Sequence, residues 1–226
     1  AEGVAGAELA FTGVIERGHQ RLMCEDGLAR EYKDATVKIA PDDVATIIYT
    51  SGTTGEPKGV MLSQRNLVSN TWATYDTLPT RPDDLRLSFL PLSHVFARTC
   101  DLYTWIAAGS KLALAESRET VLADCTALGP TLLNGVPYFF DKVYRYLVEQ
   151  GLAEQPGSLA KLLGGNMRLC CSGGAALADH VFEFFRRQKV PLVQGYGLTE
   201  TSPVITVSTE SVAKAGAVGR PIPDVE

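Results

Sequence analysis

Residues 49–59 read YTSGTTGEPKG, and this stretch decides how the rest of the chain is interpreted. It follows a strand-like run, ATIIY (45–49), and precedes a helix-like one. Its glycines let backbone N–H groups approach a ligand closely, its hydroxyls donate hydrogen bonds, and its lysine supplies positive charge. No charged side chain occurs from Val44 to Gly55, so no carboxylate repels a polyanion there. The residues expected to contact a polyphosphate are Thr50, Ser51, Gly52, Thr53, Thr54, Gly55 and Lys58.

The spacing of this loop excludes the P-loop of kinases and GTPases. Counted from Gly52 it reads GxxGxxK, and it lacks the GxxxxGK[ST] arrangement that defines a P-loop. A turn rich in glycine and threonine after a strand is also a common structural turn. The pattern alone therefore leaves phosphate binding and a plain turn both open.

Beyond this loop, apolar strand-like runs alternate with amphipathic stretches. This alternation predicts an α/β fold with a mostly parallel sheet and helices on its faces. Residues 1–43 are predicted to form a helix and an irregular polar link, before a domain at 44–226. The predicted strands are 45–49, 85–90, 111–115, 131–134, 167–171 and 191–194. The predicted helices are 64–78, 93–108, 118–128, 138–150, 158–163 and 178–188.

Composition excludes several classes of protein. Hydrophobic residues make up 45% of the 226 and charged residues 21%, which is a globular balance. No apolar run approaches the ~18 residues of a membrane helix, which predicts a soluble protein. The formal charge of −5 argues against nucleic-acid binding, which needs clustered Lys and Arg. Five scattered cysteines without a CxxC pair predict reduced thiols and a cytoplasmic location.

Three further strings carry groups that could serve a nucleotide or an acid. QGYGLTET (194–201) offers an aromatic face, a hydroxyl and a carboxylate, although it could equally be a surface turn. LPLSH (90–94) contains a histidine that could also be structural. SGGA (172–175) could let a flat ring lie against the backbone, or form a tight turn between a strand and a helix.

Together these strings resemble the motifs of the adenylate-forming superfamily, which includes acyl-CoA synthetases, luciferases and peptide-synthetase adenylation domains. Residues 49–59 resemble its YTSGTTGxPKG signature, and LPxxH, VPxxF, SGGAxL, YGxTE and GSVGxPxP-like strings follow in the family's order. The form PLSHVFART (91–99) is most similar to long-chain fatty acyl-CoA synthetases. The resemblance covers residues 45 to 226.

The resemblance implies roles for individual residues. Tyr196 would stack on adenine, Thr199 would contact the α-phosphate, and Glu200 with Thr50 would bind Mg²⁺. His94 would position the carboxylate of the acid. The implied catalytic residues are Lys58, His94, Thr199 and Glu200. Besides the loop, the implied nucleotide-binding residues are Gly173, Gly174, Ala175, Gly195, Tyr196, Gly197 and Thr199. The implied acyl-binding residues are His94, Val136, Pro137, Tyr138 and Gly174.

The reaction implied is ATP-dependent activation of a medium- or long-chain fatty acid to an acyl-adenylate and then to acyl-CoA, with Mg²⁺ and coenzyme A. A fatty acyl-AMP ligase that loads a carrier protein and a non-catalytic nucleotide-binding module remain as alternatives. Asp141 leaves an amino-acid-activating enzyme as a further alternative, because such relatives place an acidic partner for the substrate's amino group in this half of the chain. The implied partners are small molecules, peripheral membrane association of the full enzyme stays open, and the oligomeric state is not indicated.

The sequence also departs from the family's pattern. The TGD motif does not occur before Glu226, and neither do the hinge and the small C-terminal domain. By the same resemblance, we expect roughly the first third of a typical N-terminal domain to be missing before residue 1. These departures predict a fragment of the large N-terminal domain of an adenylate-forming enzyme, with weak or no adenylation activity by itself.

Overall fold

The structure is a computed structural model that describes residues 11–24, 27–51 and 56–225. The tip of the glycine-rich loop, 52–55, lies outside the described residues. The chain divides into two compact units, Ala1–Asp43 and Val44–Glu226. In its described part, no helix is long and apolar enough to cross a membrane.

In the first unit the structure has two helices, α1 (Phe11–Cys24) and α2 (Leu28–Val37), where the sequence predicted one helix and an irregular link. Every residue of α2 is at least partly exposed. Leu28, Tyr32 and Ala35 recur at the i, i+4, i+7 spacing of a helix, so a signal for this element was present in the sequence.

The second unit is built on a seven-stranded sheet. Its strand order is β4-β3-β5-β6-β7-β8-β9, and the first five strands in this order are parallel. The last two strands, β8 and β9, pair antiparallel and were not predicted. The strands are β3 (Leu85–Ser88), β4 (Lys111–Leu114), β5 (Leu132–Gly135), β6 (Leu169–Ser172), β7 (Leu192–Gly197), β8 (Val204–Val207) and β9 (Arg220–Pro221).

Helices connect the parallel strands, close to the predicted positions. The region predicted as one helix, 93–108, contains two short α-helices with a π-helical turn, Arg98–Tyr103, between them. A 3₁₀ turn, Thr199–Thr201, follows β7. The helices are α3 (Gln64–Thr77), α4 (Val95–Ala97), α5 (Thr104–Ala108), α6 (Val121–Leu128), α7 (Pro137–Glu149), α8 (Ser158–Leu162) and α9 (Asp179–Arg187).

Consecutive strand residues face opposite sides of the sheet, and each side is covered. Leu133 packs in a core with Phe140 of α7 and Phe185 of α9, whose ring centroids are 5.5 Å apart. Its neighbour Leu132 packs in a second core with Cys100 of the π-helical turn. This alternation, which follows from the pleat of a strand, gives a sheet with helices on both faces, as predicted.

The first strand is not part of this sheet. β1 (Val44–Ser51) and β2 (Pro57–Ser63) form a separate antiparallel hairpin, with the glycine-rich loop at its tip. The sequence analysis assigned no strand to 57–63, where the structure has β2, and α3 begins at Gln64, as predicted. Pro57 and Gly59 made the strand difficult to predict, since both residue types are rare in strand interiors. Ser63 then caps α3, accepting a hydrogen bond from the backbone N–H of Asn66 (3.2 Å).

Candidate functional site

The motif residues meet at the carboxyl ends of the parallel strands. A cavity of about 480 Å³ opens at this edge, the position where ligands bind in open α/β sheets. Three of the motifs follow strand ends: LPLSH after β3, SGGA after β6, and the YGLTE segment at the end of β7. The predicted site residues that line this cavity are Thr50, Lys58, His94, Gly173, Gly174, Gly195, Tyr196, Gly197, Thr199 and Glu200.

Lys58 reaches the cavity from the hairpin. It is the second residue of β2, exposed, and opposite Thr50 in the β1–β2 register. Strand β2 also lies against the 3₁₀ turn that contains Thr199 and Glu200. The ammonium group, two hydroxyls and a carboxylate therefore belong to one side of the cavity, which is a suitable surface for a phosphate chain with a cation.

The turn that carries Thr199 and Glu200 is fixed by buried hydrogen bonds from two other elements. The Asn70 side chain in α3 donates to the carbonyl of Val204 (2.8 Å) and accepts from the Val204 N–H (3.1 Å). The hydroxyl of Thr99 in the π-helical turn donates to the carbonyl of Ser202 (3.0 Å). Sequence analysis gave no role to either residue, because a polar residue within a helix sequence does not reveal a partner more than a hundred positions away.

His94 begins helix α4, and its hydrogen bond fixes which nitrogen faces a ligand. Its Nδ1 accepts a hydrogen bond from the backbone N–H of Phe96 (3.2 Å). A neutral imidazole that accepts at Nδ1 carries its proton at Nε2. His94 therefore offers an N–H donor, which suits the positioning of a carboxylate.

Arg98 is another residue that the sequence analysis missed, and its hydrogen bonds connect two segments of the site. Its Nε donates to the carbonyl of Leu92 (3.0 Å), and its Nη1 donates to the hydroxyl of Thr46 in β1 (2.7 Å). One side chain thus joins the segment before His94 to the hairpin that carries Lys58. This arginine is part of the PLSHVFART string, but the sequence does not reveal which residues its side chain contacts.

A second cavity, of about 590 Å³, adjoins the first. His94, Phe96 and Gly174 line both. Of the predicted acyl-binding residues, Val136 and Tyr138 line the second cavity only, and Arg118 and Lys142 lie at it as well. Two predicted site residues, Pro137 and Ala175, line neither cavity, and the predictions for Gly52, Thr53, Thr54, Gly55 and the Ser51 side chain lie outside the described residues.

The inner part of the first cavity is lined by apolar side chains and by two thiols. Leu132, Leu169 and Val204 contribute to its walls. Burial raises the pKa of the Cys171 thiol to about 12, and burial likewise raises the pKa of the Cys100 thiol well above its usual value. Both thiols are therefore neutral near pH 7, and they act as small apolar groups.

The donor set fits a magnesium ion bound together with a polyphosphate. Glu200 offers a carboxylate and Thr50 a hydroxyl on the same cavity, and oxygen ligands are those that Mg²⁺ prefers. Among the described residues there is no cluster of three or more His, Cys, Asp or Glu that would hold a metal alone. Such a set suits an ion that brings its remaining ligands from phosphates and water.

Asp141 does not lie at either cavity. Its carboxylate contacts Arg145 Nε at 2.7 Å and His180 Nε2 at 3.4 Å on the surface of α7 and α9. A partner for a substrate amino group would have to face the acid-binding region. The amino-acid-activating alternative therefore has no support from this residue.

Comparison with known proteins identifies the family to which the chain belongs. Residues 7–226 match the AMP-binding enzymes. Long chain acyl-CoA synthetase 6, peroxisomal, of Arabidopsis thaliana is 32% identical over 82% of this chain and 31% of its own length. Long-chain-fatty-acid–CoA ligase FadD15 of Mycobacterium bovis is 32% identical over 89% of this chain and 41% of its own. The chain thus spans less than half the length of these curated relatives.

Solved structures are also similar to this chain. A malonyl-CoA ligase in a ternary product complex with methylmalonyl-CoA and AMP has a TM-score of 0.71 and 30% identity, over 81% of this chain and 39% of its own. The inhibitor-bound N-terminal domain of FACL13 from Mycobacterium tuberculosis has a TM-score of 0.69 and 27% identity, over 82% and 45%.

Proposed function

The chain belongs to the AMP-binding enzyme family, and from this premise we propose that it is the adenylate-forming part of an acid–CoA ligase. The proposed reaction joins a medium- or long-chain fatty acid to AMP and then to coenzyme A. The observation that carries the proposal is the meeting of Lys58, Thr50, Thr199 and Glu200 on one cavity.

The nucleotide occupies the outer part of the first cavity in this proposal. Tyr196 is 48% exposed, so one face of its ring is free to stack on adenine. Gly174 and Gly195 allow the base to approach the backbone, and Thr50, Lys58 and Thr199 contact the phosphates. Mg²⁺, held by Glu200 and Thr50, would neutralise phosphate charge when bound.

The chemistry needs no covalent nucleophile from the protein. A carboxylate oxygen of the acid attacks the α-phosphorus of ATP, the bond to the pyrophosphate oxygen breaks, and pyrophosphate leaves. Thr199 holds the α-phosphate in line, and Lys58 offsets the charge that grows on the leaving group. In the second step a thiol attacks the acyl carbon of the adenylate, gives up its proton, and AMP leaves.

His94, Phe96 and Gly174 mark the junction where these two steps occur. We propose that the acid's carboxyl group lies there, beside Val136 and Tyr138, with its chain in the inner part of the first cavity. The walls there carry Leu132, Leu169 and Val204, which favour an apolar chain.

The thiol acceptor approaches through the second cavity. Its lining combines apolar side chains such as Phe139 and Val143 with the cationic residues Arg118 and Lys142. Coenzyme A carries its thiol on a slender pantetheine arm that is attached to phosphates, so the arm would lie along the apolar side chains and the phosphates beside the cationic residues. The cytoplasmic location predicted from the sequence belongs to this proposal too, although one relative is named as peroxisomal.

Fatty-acid-dependent ATP–pyrophosphate exchange tests the first step, with a chain-length series, on the 226-residue chain and on a full-length enzyme that contains it. We expect exchange in the full-length enzyme and weak or no exchange in the chain alone. Thioester formation with free coenzyme A separates a CoA ligase from an acyl-AMP ligase. ATP binding without exchange for any acid would favour the non-catalytic module.

A further inference from the structure

Besides its apolar walls, the inner part of the first cavity has buried polar side chains, which an unsubstituted alkyl chain does not require. Arg86 of β3 lines it, although the residue is only 5% exposed. Thr80 and Asn134 line the same region and are also buried. Charged side chains are rarely buried unless they have a partner that justifies the loss of water.

The protein satisfies the Arg86 guanidinium only in part. An arginine has five N–H donors. Nη2 donates to the Thr80 hydroxyl (3.0 Å), and Nη1 donates to the Asp101 carboxylate over a long 3.4 Å. Nε is buried and has no hydrogen-bond partner among the described residues. Nη1 and Nη2 each have a second N–H that bonds to no described residue, and such donors on a residue that lines a cavity favour an acceptor inside it.

The charge of Arg86 is already balanced. Asp101 accepts hydrogen bonds from the Ser88 hydroxyl (2.7 Å), from the Asn134 amide (2.7 Å) and from Arg86. The pair therefore has little net charge, and Asp101 would repel a second carboxylate. A neutral oxygen, as in a hydroxyl or a keto group, avoids this repulsion and still accepts from the guanidinium.

We infer that the inner cavity selects acids whose acyl chain carries a neutral oxygen that hydrogen-bonds to Arg86. This inference rests on the proposed function and narrows its substrate class from plain fatty acids to hydroxy or oxo acids. Arg86 is a specificity-determining residue in this inference, and Asp101, Thr80 and Asn134 position it.

The test compares acids of equal length that carry a hydroxyl at successive positions, together with the unsubstituted acid and the dicarboxylic acid. ATP–pyrophosphate exchange gives kcat/KM for each on the full-length enzyme, and calorimetric titration gives binding without turnover. We expect one hydroxyl position to be preferred over the unsubstituted acid by roughly tenfold to a hundredfold, because a buried donor otherwise stays unpaired.

A paired variant removes both charges together. In Arg86→Leu/Asp101→Asn the ratio of kcat/KM for the preferred hydroxy acid to kcat/KM for the unsubstituted acid should fall to about one, because the guanidinium donors are gone. The matched control is Arg168→Leu/Asp84→Asn, which removes another Arg–Asp pair (2.5 Å) from residues that do not line the cavity. It should leave the preference unchanged.

The outcomes separate this inference from the proposed function. Equal or better use of the unsubstituted acid by the wild-type enzyme would overturn the inference alone, since water would then satisfy Arg86. Preference for the dicarboxylic acid would also overturn it, in favour of a charged guest. Preferential binding of a hydroxy acid without exchange would support the inference and overturn the proposed function. The comparison of the acids on the wild-type enzyme tests the inference about Arg86 even if the paired variant fails to fold.

Discussion

Lys58 and Thr50 lie directly opposite each other across the antiparallel β1–β2 ladder. The register of this hairpin, rather than the start of a helix, therefore sets the position of the lysine that would neutralise phosphate charge. A one-residue slip in the register would turn Lys58 to the other face of the hairpin. The pairing connects strand geometry directly to the proposed chemistry.

Lys58→Ala should lower acid-dependent ATP–pyrophosphate exchange by about a hundredfold, a typical cost of removing one group that stabilises charge in a transition state. The melting temperature should hardly change, because Lys58 is exposed. Lys111→Ala, which removes an exposed lysine from β4, is the control. Exchange that survives in Lys58→Ala would mean that the loop does not contact the phosphates.

Glu200→Gln should raise the Mg²⁺ concentration that gives half-maximal exchange by roughly tenfold, since an amide is a poorer ligand than a carboxylate. The side chain is exposed and of the same size, so folding should be retained. Titration of Mg²⁺ at saturating ATP measures the shift, with Glu210→Gln for comparison. An unaltered Mg²⁺ dependence would remove Glu200 from the proposed metal site.

Asn70→Leu should lower the free energy of unfolding by about 3 kcal/mol, because it leaves buried backbone groups of Val204 without partners. Thr71→Val is the neighbouring control, since its hydroxyl bonds only to Leu67 within the same helix (2.6 Å) and should cost less than about 1 kcal/mol. Urea denaturation measures both. Equal losses would show that Asn70 does not hold the turn before β8.

Gly197→Ala should prevent stable folding, whereas Gly195→Ala should be tolerated. A Cβ at 197 would lie 2.0 Å from the carbonyl oxygen of Pro203, while one at 195 would lie 3.5 Å from its nearest neighbour, the Thr206 carbonyl oxygen. Thermal unfolding of the two variants measures the contrast. A stable Gly197→Ala variant would mean that the chain leaves β7 by another path.

Asp84→Asn should lower stability at pH 7, and it should lower it by a smaller amount at pH 3. Burial acts to raise the pKa of Asp84, but hydrogen bonds from Arg168, from the Arg81 backbone and from Thr131 outweigh it, so the pKa lies below its usual value of 3.8. The stabilisation by this carboxylate is therefore complete above that pH and is lost as the pH falls through the lowered pKa.

Denaturation of the wild type, Asp84→Asn and Asp83→Asn at both pH values tests this expectation. Asp83 is exposed, so its variant should follow the wild type. A difference between wild type and Asp84→Asn that is as large at pH 3 as at pH 7 would point to a packing effect rather than to the charge.

Much of the fold and the family could be predicted because the sequence signals are local. Each motif follows a strand, and the carboxyl ends of parallel strands meet at one edge, which explains why Thr199 and His94 of separate motifs line one cavity. The family assignment from these motifs is confirmed by the match over residues 7–226. The individual roles of the site residues stay predictions.

The elements that could not be predicted depend on distant contacts or on atypical residues. Strand β2 was missed because proline and glycine open it, and β8 because its pairing with β7 forms only in the folded sheet. The sequence analysis gave no role to Arg86, because nothing near it in the sequence reveals its contact with Asp101.

The two buried thiols of the first cavity make its dynamics measurable. Only a thiolate reacts quickly with an alkylating reagent, and with a pKa of about 12 on the order of 10⁻⁵ of Cys171 is ionised at pH 7 in the closed structure. Labelling must therefore pass through transient openings that admit solvent to the sheet. The alkylation rate at Cys171 reports how often this thiol becomes hydrated, and an occupant of the cavity that covers it would slow the reaction.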